Sequence, residues 1–179
     1  MSQPTDHSGV RRVLDAAVRK GVTLDIVAFD ESTHTAQEAA SAVGADLGQI
    51  VKSLVFVVPR DDGGQEPLVC LVSGRNRVDL ARLAAVTGEQ EIRRASAREA
   101  YDLTGFSIGG IPPIGFEGAV RVIMDPDLGR YPSVWAAAGI PTAVFEVPPA
   151  TLQMLANATV APITEVQRAA DASTASSGA

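Results

Sequence analysis

The sequence predicts an α/β fold: a single domain with a mixed, curved β-sheet surrounded by helices. Three observations point there. Amphipathic helical segments are interleaved with short β-branched runs. One of those runs, Ile50 to Val58, is almost continuously apolar, as expected of a strand covered on both faces. Finally, 179 residues at 46% hydrophobic content supply one sizeable core but not two.

The elements follow in chain order. Residues 1–9 are polar and are expected to be disordered, leaving a domain over residues 10–166. Val10, Val13, Leu14, Ala17 and Val18 recur at helical spacing, so a helix is predicted from Val10 to Lys20, ended by Gly21. Thr23 to Phe29 reads as a strand. Thr35 and Glu38 make a capping box for a helix that runs to Val43 and closes at Gly44. The apolar run to Val58 is followed by a turn at residues 61–64 and a returning strand from Pro67 to Ser73, which predicts a hairpin. Val78 to Thr87 is amphipathic and stops at Gly88; a short strand is placed around Ile92. Ser96 and Glu99 form a second capping box, whose helix ends at Thr104 and Gly105. Strands are predicted over residues 119–124, 134–138 and 143–147, with a turn at 125–129 that claims Asp125. Pro148 and Pro149 start a last helix through Leu152 and Leu155, and residues 167–179 are expected to be a disordered tail.

Composition removes several functional classes. Fifteen basic against twenty-one acidic residues give 15 − 21 = −6, the wrong sign for coating a long nucleic-acid backbone. Basic residues do gather at Arg75 and Arg77 and at Arg93, Arg94 and Arg98, either as ordinary solvated charges or as a small contact with RNA. One cysteine and two isolated histidines provide neither a disulfide framework nor a metal-ligand cluster, so no metal and no cofactor are expected. Cys70 lies within a strand and reads as a small core residue. Without a signal-peptide pattern or a long apolar window, the expectation is a cytoplasmic protein that does not enter a membrane.

Two features remain. Gly105-Phe-Ser-Ile-Gly-Gly-Ile-Pro-Pro-Ile-Gly115 has too much glycine and proline for a helix or central strand, yet its other residues are nearly all apolar. Its main-chain donors therefore need partners, from either a neighbouring segment or a ligand. Lys52, inside the apolar run, has three readings: it snorkels to solvent, pairs with a buried carboxylate, or presents its ammonium to a ligand. His34 lies before the second helix, either at a pocket mouth or simply on the surface; Trp135 and Phe145 read as core rather than as base-stacking platforms.

In succession, Val51-Lys-Ser-Leu-Val55, Gly74-Arg-Asn-Arg-Val-Asp-Leu-Ala-Arg-Leu-Ala84 and the loop from Thr104 to Gly115 resemble the YbaK/EbsC family. These are prolyl-tRNA-editing-like deacylases related to the editing insertion of bacterial prolyl-tRNA synthetase. The resemblance covers about residues 20 to 165. It implies hydrolysis of the ester between a wrong amino acid and the 3′ end of a tRNA. The implied partners are misacylated tRNA, touched at its acceptor end, and prolyl-tRNA synthetase. Carried over, Lys52 is the functional lysine that holds the charged end of the substrate, and Gly109 to Pro113 is the Gly-x-x-x-Pro loop. On that reading the catalytic pair is Lys52 and Gly110, whose N–H region orients water or an oxyanion. The substrate would be bound by Ser53, Gly109, Ile111, Pro112, Pro113, His34, Ala137 and Gly139. Cysteine-specific members carry Ser-Gly-Gly where this chain has Ala137-Ala138-Gly139. Alanine-specific members carry asparagine at the position of Ser53 and a late histidine that this chain lacks. A small aliphatic amino acid and relaxed selectivity are the expectation. The rival is a non-catalytic module of the same fold that recognises an aminoacyl-like ligand or a protein partner.

Overall fold

The hairpin predicted around residues 61–64 is the centre of the sheet. In the computed structural model, which describes residues 3–167, β2 (Ile50–Pro59) and β3 (Gln65–Ser73) pair antiparallel along their whole length, from Val51 opposite Ser73 to Pro59 opposite Gln65. The remaining strands are β1 (Ile26–Ala28), β4 (Arg93–Arg94), β5 (Arg121–Met124), β6 (Val134–Ala137), β7 (Ala143–Val147) and β8 (Thr159–Val160). They complete an eight-stranded sheet in the order β1-β7-β6-β2-β3-β5-β8, with β4 also on β2. The sheet is mixed, since β2–β6, β3–β5 and β5–β8 are parallel and the other pairs antiparallel.

Five α-helices cover it among the described residues: α1 (Ser8–Arg19), α2 (Ala36–Val43), α3 (Leu80–Thr87), α4 (Ala97–Thr104) and α5 (Pro149–Ala156). Strand alternation divides β2 between two cores. Val51, Val55 and Val57 face the larger one, with Val10 and Val13 of α1, Ala100 of α4, Leu152 of α5 and the loop residues Phe106, Ile111 and Ile114. Phe56 and Val58 face the smaller one, with Leu68, Cys70 and Leu83 of α3. Cys70 is fully buried there, and burial pushes its thiol up to about 12, which leaves it the inert core residue the sequence suggests.

The helix stops form as their residues require. Gly44, Gly88 and Gly105 all take the left-handed conformation at a C-cap, and both capping boxes close through Thr35–Glu38 and Ser96–Glu99. Several boundaries differ from expectation. Residues 4–6 form a 3-10 helix and α1 begins at Ser8, because Pro4 suits a first turn and His7 Nδ1 accepts from the Gly9 N–H; the expected disorder of residues 1–9 does not hold there. α3 begins at Leu80 because the Asp79 carboxylate caps the amides of Ala81 and Arg82. Gln167, placed in the expected tail, donates Nε2 to Arg75 O and Asn76 Oδ1. The rest of that tail, residues 168–179, lies outside the described residues. No helix among the described residues is long and apolar enough to cross a membrane.

One interruption in the sheet positions the site. β6 pairs with β2 only at Ile50 and Val51, and β4 only at Phe56 and Val57. Since β3 occupies the other edge of β2 throughout, residues 52–55 border a split. Ala95 N–H closes one end of it by donating to Val55 O at 3.0 Å. By the alternation of main-chain groups along a strand, Ser53 turns its own N–H and C=O into the same gap.

Candidate functional site

A cavity of about 250 Å³ occupies this split. Ala36, Ala39 and Val43 of α2, Ile50 of β2, and Ala143 and Val144 of β7 make an apolar wall, while Lys52, Ser53, Arg94 and His34 supply the polar contacts. Ile108, Gly109 and Ile111 close it from the loop side. Because the sheet is open here, Lys52 and Ser53 border one cavity although they point from opposite faces of β2.

Lys52 is half-buried and resolves its three readings in an unanticipated way: its ammonium donates to the main-chain carbonyl of Asn76. Asn76 is itself fixed from below, because its Nδ2 donates to Asp125 Oδ2 and Asp127 Oδ2, each at 2.8 Å. Asp125 is fully buried and also accepts from Ser73 N at 3.1 Å and Asp127 N at 2.9 Å. Its turn role is real, but it is also the foundation under Lys52, and nothing local in the sequence signals that. Burial lowers the Lys52 pKa from its ordinary value; the nearby positive charges of Arg77 and Arg94 push the same way, and Asp125 opposes them. Neither Arg77 nor Arg94 forms an ion pair among the described residues.

The loop corrects one assignment. Gly110 N–H, expected to face an ester, donates to Ser107 O at 3.0 Å and closes a tight turn. Gly110 also backs onto the chain at Ile140, where an added Cβ would lie 2.7 Å from the Ile140 C and Cα atoms. It braces the wall and offers no donor. The amides of Gly109 and Ile111, on either side, make no hydrogen bond among the described residues, and both residues line the cavity. Pro112 and Pro113 are buried behind Ile111, and Gly139 is turned away against Gly9 and Phe106, so none of the three lines the cavity. Of the expected site residues, the structure brings together Lys52, Ser53, His34, Gly109, Ile111 and Ala137.

The lining also includes an aromatic side chain. Trp135, expected in the core, is only partly buried; it packs against the cluster of Ala39, Ala40 and Ile50 and lines the cavity. Ser53 Oγ is buried with no hydrogen-bond partner among the described residues, an unusual state for a hydroxyl. His34 Nε2 lies 3.3 Å from Ser32 Oγ, and the His34 main-chain N–H donates to Glu38 Oε2 at 2.6 Å, so the start of α2 holds it at the rim. Among the described residues, no group of three or more His, Cys, Asp or Glu side chains could hold a metal ion.

A small, mainly apolar chamber lined by a lysine, by a serine whose hydroxyl is unpaired and by loop residues whose amides make no hydrogen bond among the described residues suits a small acyl group carried on a larger anionic molecule. Comparison with known proteins places the chain more closely. A model of the aminoacyl-tRNA editing domain matches residues 30–155, and the chain belongs to that family. EbsC of Enterococcus faecalis, named as a candidate Cys-tRNA(Pro)/Cys-tRNA(Cys) deacylase, is 26% identical over 137 residues, 76% of this chain and 81% of EbsC. The Multifunctional Ser/Thr-tRNA deacylase ProXp-y of Escherichia coli K12 is 33% identical over 102 residues, 55% of this chain and 60% of that protein. A crystal structure described as a candidate trans-editing enzyme for prolyl-tRNA synthetase superposes with a TM-score of 0.81 at 44% identity, covering 89% of this chain and 99% of the other.

Proposed function

We propose that this protein is a trans-acting aminoacyl-tRNA deacylase of the cytoplasm, hydrolysing the ester of misacylated tRNA, with tRNA(Pro) carrying a small amino acid as its substrate. The observation that supports the reading is that one cavity is lined both by Lys52 and by Gly109 and Ile111, whose amides make no hydrogen bond among the described residues. In the reaction, water oxygen bonds to the ester carbonyl carbon. The carbonyl oxygen takes up negative charge facing the two amides. The tetrahedral species then collapses by breaking the bond to the ribose oxygen, which leaves with a proton. Fixed donors aimed at the developing charge lower this barrier without reorganisation. Lys52 holds the anionic tRNA end, and the split in the sheet admits the aminoacyl group. No side-chain nucleophile is needed, since the aminoacyl ester is already activated.

The cavity walls set the size limit. With alanines at 36, 39, 137 and 143, the chamber accepts a small side chain, while the flank of Trp135 and Ile50 resists a bulky one. An apolar wall separates neighbours differing by one methylene by only about 1–3 kcal/mol, so overlapping substrates are expected. Prolyl-tRNA synthetase is the natural partner, supplying the RNA grip that a chain of net charge −6 lacks.

The test is a panel of tRNA(Pro) charged with alanine, cysteine, serine and 2-aminobutyrate, incubated with wild type and Lys52→Ala. Wild type releases at least one of them and Lys52→Ala is slower by tenfold or more, as expected from losing a contact of about 1.4 kcal/mol or greater. Release of none by wild type would favour a non-catalytic binding module. Undiminished turnover by Lys52→Ala would remove the lysine from the mechanism.

A further inference from the structure

Helix α1 precedes the stretch matched by the family model, yet it reaches the catalytic loop directly. Arg12 of this helix is half-buried and spreads its guanidinium across both ends of the loop. Nη1 donates to Gly105 O at 3.1 Å, and Nη2 donates to Thr104 O at 3.4 Å and to Gly115 O at 2.9 Å. The same group lies 4.2 Å from the ring centroid of Phe106, between these two attachment points in the chain.

The flanking glycines are explained by this contact. Gly105 and Gly115 both have positive φ, 79° and 87°. Space is short as well: a Cβ on Gly105 would lie 2.8 Å from both Nη1 and Nη2, and one on Gly115 would lie 3.2 Å from Arg12 O. The chain is therefore bare of side chains where α1 arrives. Charge adds to the fit, because Thr104 and Gly105 are the C-terminal end of α4, where unpaired carbonyls favour a cation. A guanidinium spreads its donors over a rigid fork and so reaches the carbonyls of both segments, Thr104–Gly105 and Gly115, whereas an ammonium gathers its three donors at a single point. Glu117, exposed on its outer side, pairs with Arg12 Nη1 at 3.4 Å and is a peripheral partner.

We infer that Arg12 is a positioning residue for the deacylation site: its guanidinium latches the two ends of the 105–115 loop together and so holds the Gly109 and Ile111 amides opposite Lys52 and Ser53. The inference rests on the deacylase reading for its effect on rate, but the latch itself can be measured without substrate. A loop freed at both ends would misplace its donors, and displacements near 1 Å cost on the order of 10²-fold in rate.

The experiment compares wild type, Arg12→Ala, Arg12→Lys and Glu117→Gln. Arg12→Ala is expected to lower kcat on the order of 10²-fold with little change in KM. It should also speed amide hydrogen exchange at Gly105, Phe106 and Gly110 while leaving β2 and β3 protected. Added guanidinium ion should recover part of the lost kcat, Arg12→Lys should not match wild type, and Glu117→Gln should be unaffected. Wild-type kcat and loop exchange in a folded Arg12→Ala protein would overturn the latch. So would a kcat loss accompanied by faster exchange throughout the molecule and no recovery with guanidinium, which marks a general structural role. If Arg12→Ala does not fold, Arg12→Lys carries the same exchange comparison. An inactive wild type would count against the proposed reaction, and the exchange data would still decide the latch.

Discussion

Replacing Ser53 by alanine should make this protein more stable and less active. Ser53 lines the cavity, while its Oγ is sealed from solvent and has no hydrogen-bond partner among the described residues. A buried hydroxyl left unpaired costs about 1–3 kcal/mol of desolvation, so its removal should return about 1 kcal/mol after the small loss of packing. In a domain of this size that corresponds to a rise of about 2–4 °C in Tm. Urea denaturation should show the same gain as a higher midpoint with an unchanged slope. If the hydroxyl is kept to bond the aminoacyl group, its loss should at the same time lower kcat/KM by roughly fivefold, the worth of one neutral hydrogen bond near 1 kcal/mol. The opposite signs make the experiment informative, since a merely structural serine would lose in both measurements. A Tm that falls or stays level would refute the claim that the hydroxyl is unsatisfied. A higher Tm with unchanged kcat/KM would refute its part in binding.

Two other expectations concern the opposite wall and the lysine. Gly110→Ala places a methyl 2.7 Å from the main chain of Ile140, where no flexible side chain can yield, and should destabilise by about 1–3 kcal/mol while slowing deacylation; a thermal melt indistinguishable from wild type would show that the two walls are not in register as described. For pH, the role proposed for Lys52 needs its ammonium form, and burial, Arg77 and Arg94 lower its pKa, so the rate above the uncatalysed blank should fall as pH rises through a value below the ordinary lysine range. Arg77→Gln removes one repulsive charge and should shift that alkaline limb upward, whereas an unmoved limb would detach it from Lys52. The same lowered pKa means the unfolded chain binds more protons than the folded one between the two values, so the Lys52 contribution to stability improves with rising pH across that window.

What could be read in the sequence is what neighbouring residues decide among themselves. Both capping boxes, the left-handed stops at Gly44, Gly88 and Gly105, and the β2–β3 hairpin depend on residues close in the chain, and each forms where the pattern places it. The two-residue strand β8 carries no period of its own; it exists because β5 offers an edge to Thr159 and Val160. The same limit runs through the site. Lys52 and Ser53 stand out as polar residues in an apolar strand, and the loop stands out by its glycines and prolines. By contrast, the support beneath Lys52 comes from Asn76 and Asp125, contributed by two distant turns.

The loop shows why neither the resemblance nor the composition identifies which glycine amide is free. Glycine in such a segment can serve a ligand by exposing an amide, or serve the fold by making room, and sequence does not distinguish the two. Here the uses are divided by position. Gly105 and Gly115 make room for Arg12, Gly110 makes room for Ile140, and Gly109 is the glycine left facing the cavity. Pro112 and Pro113, buried behind Ile111, stiffen the far side of the turn and contribute no donors that would need partners. Within the segment Gly105, Phe106 and Gly110 donate to local acceptors and Arg12 satisfies carbonyls at both ends, while of the amides that make no hydrogen bond among the described residues those of Ile108, Gly109 and Ile111 belong to residues that line the chamber.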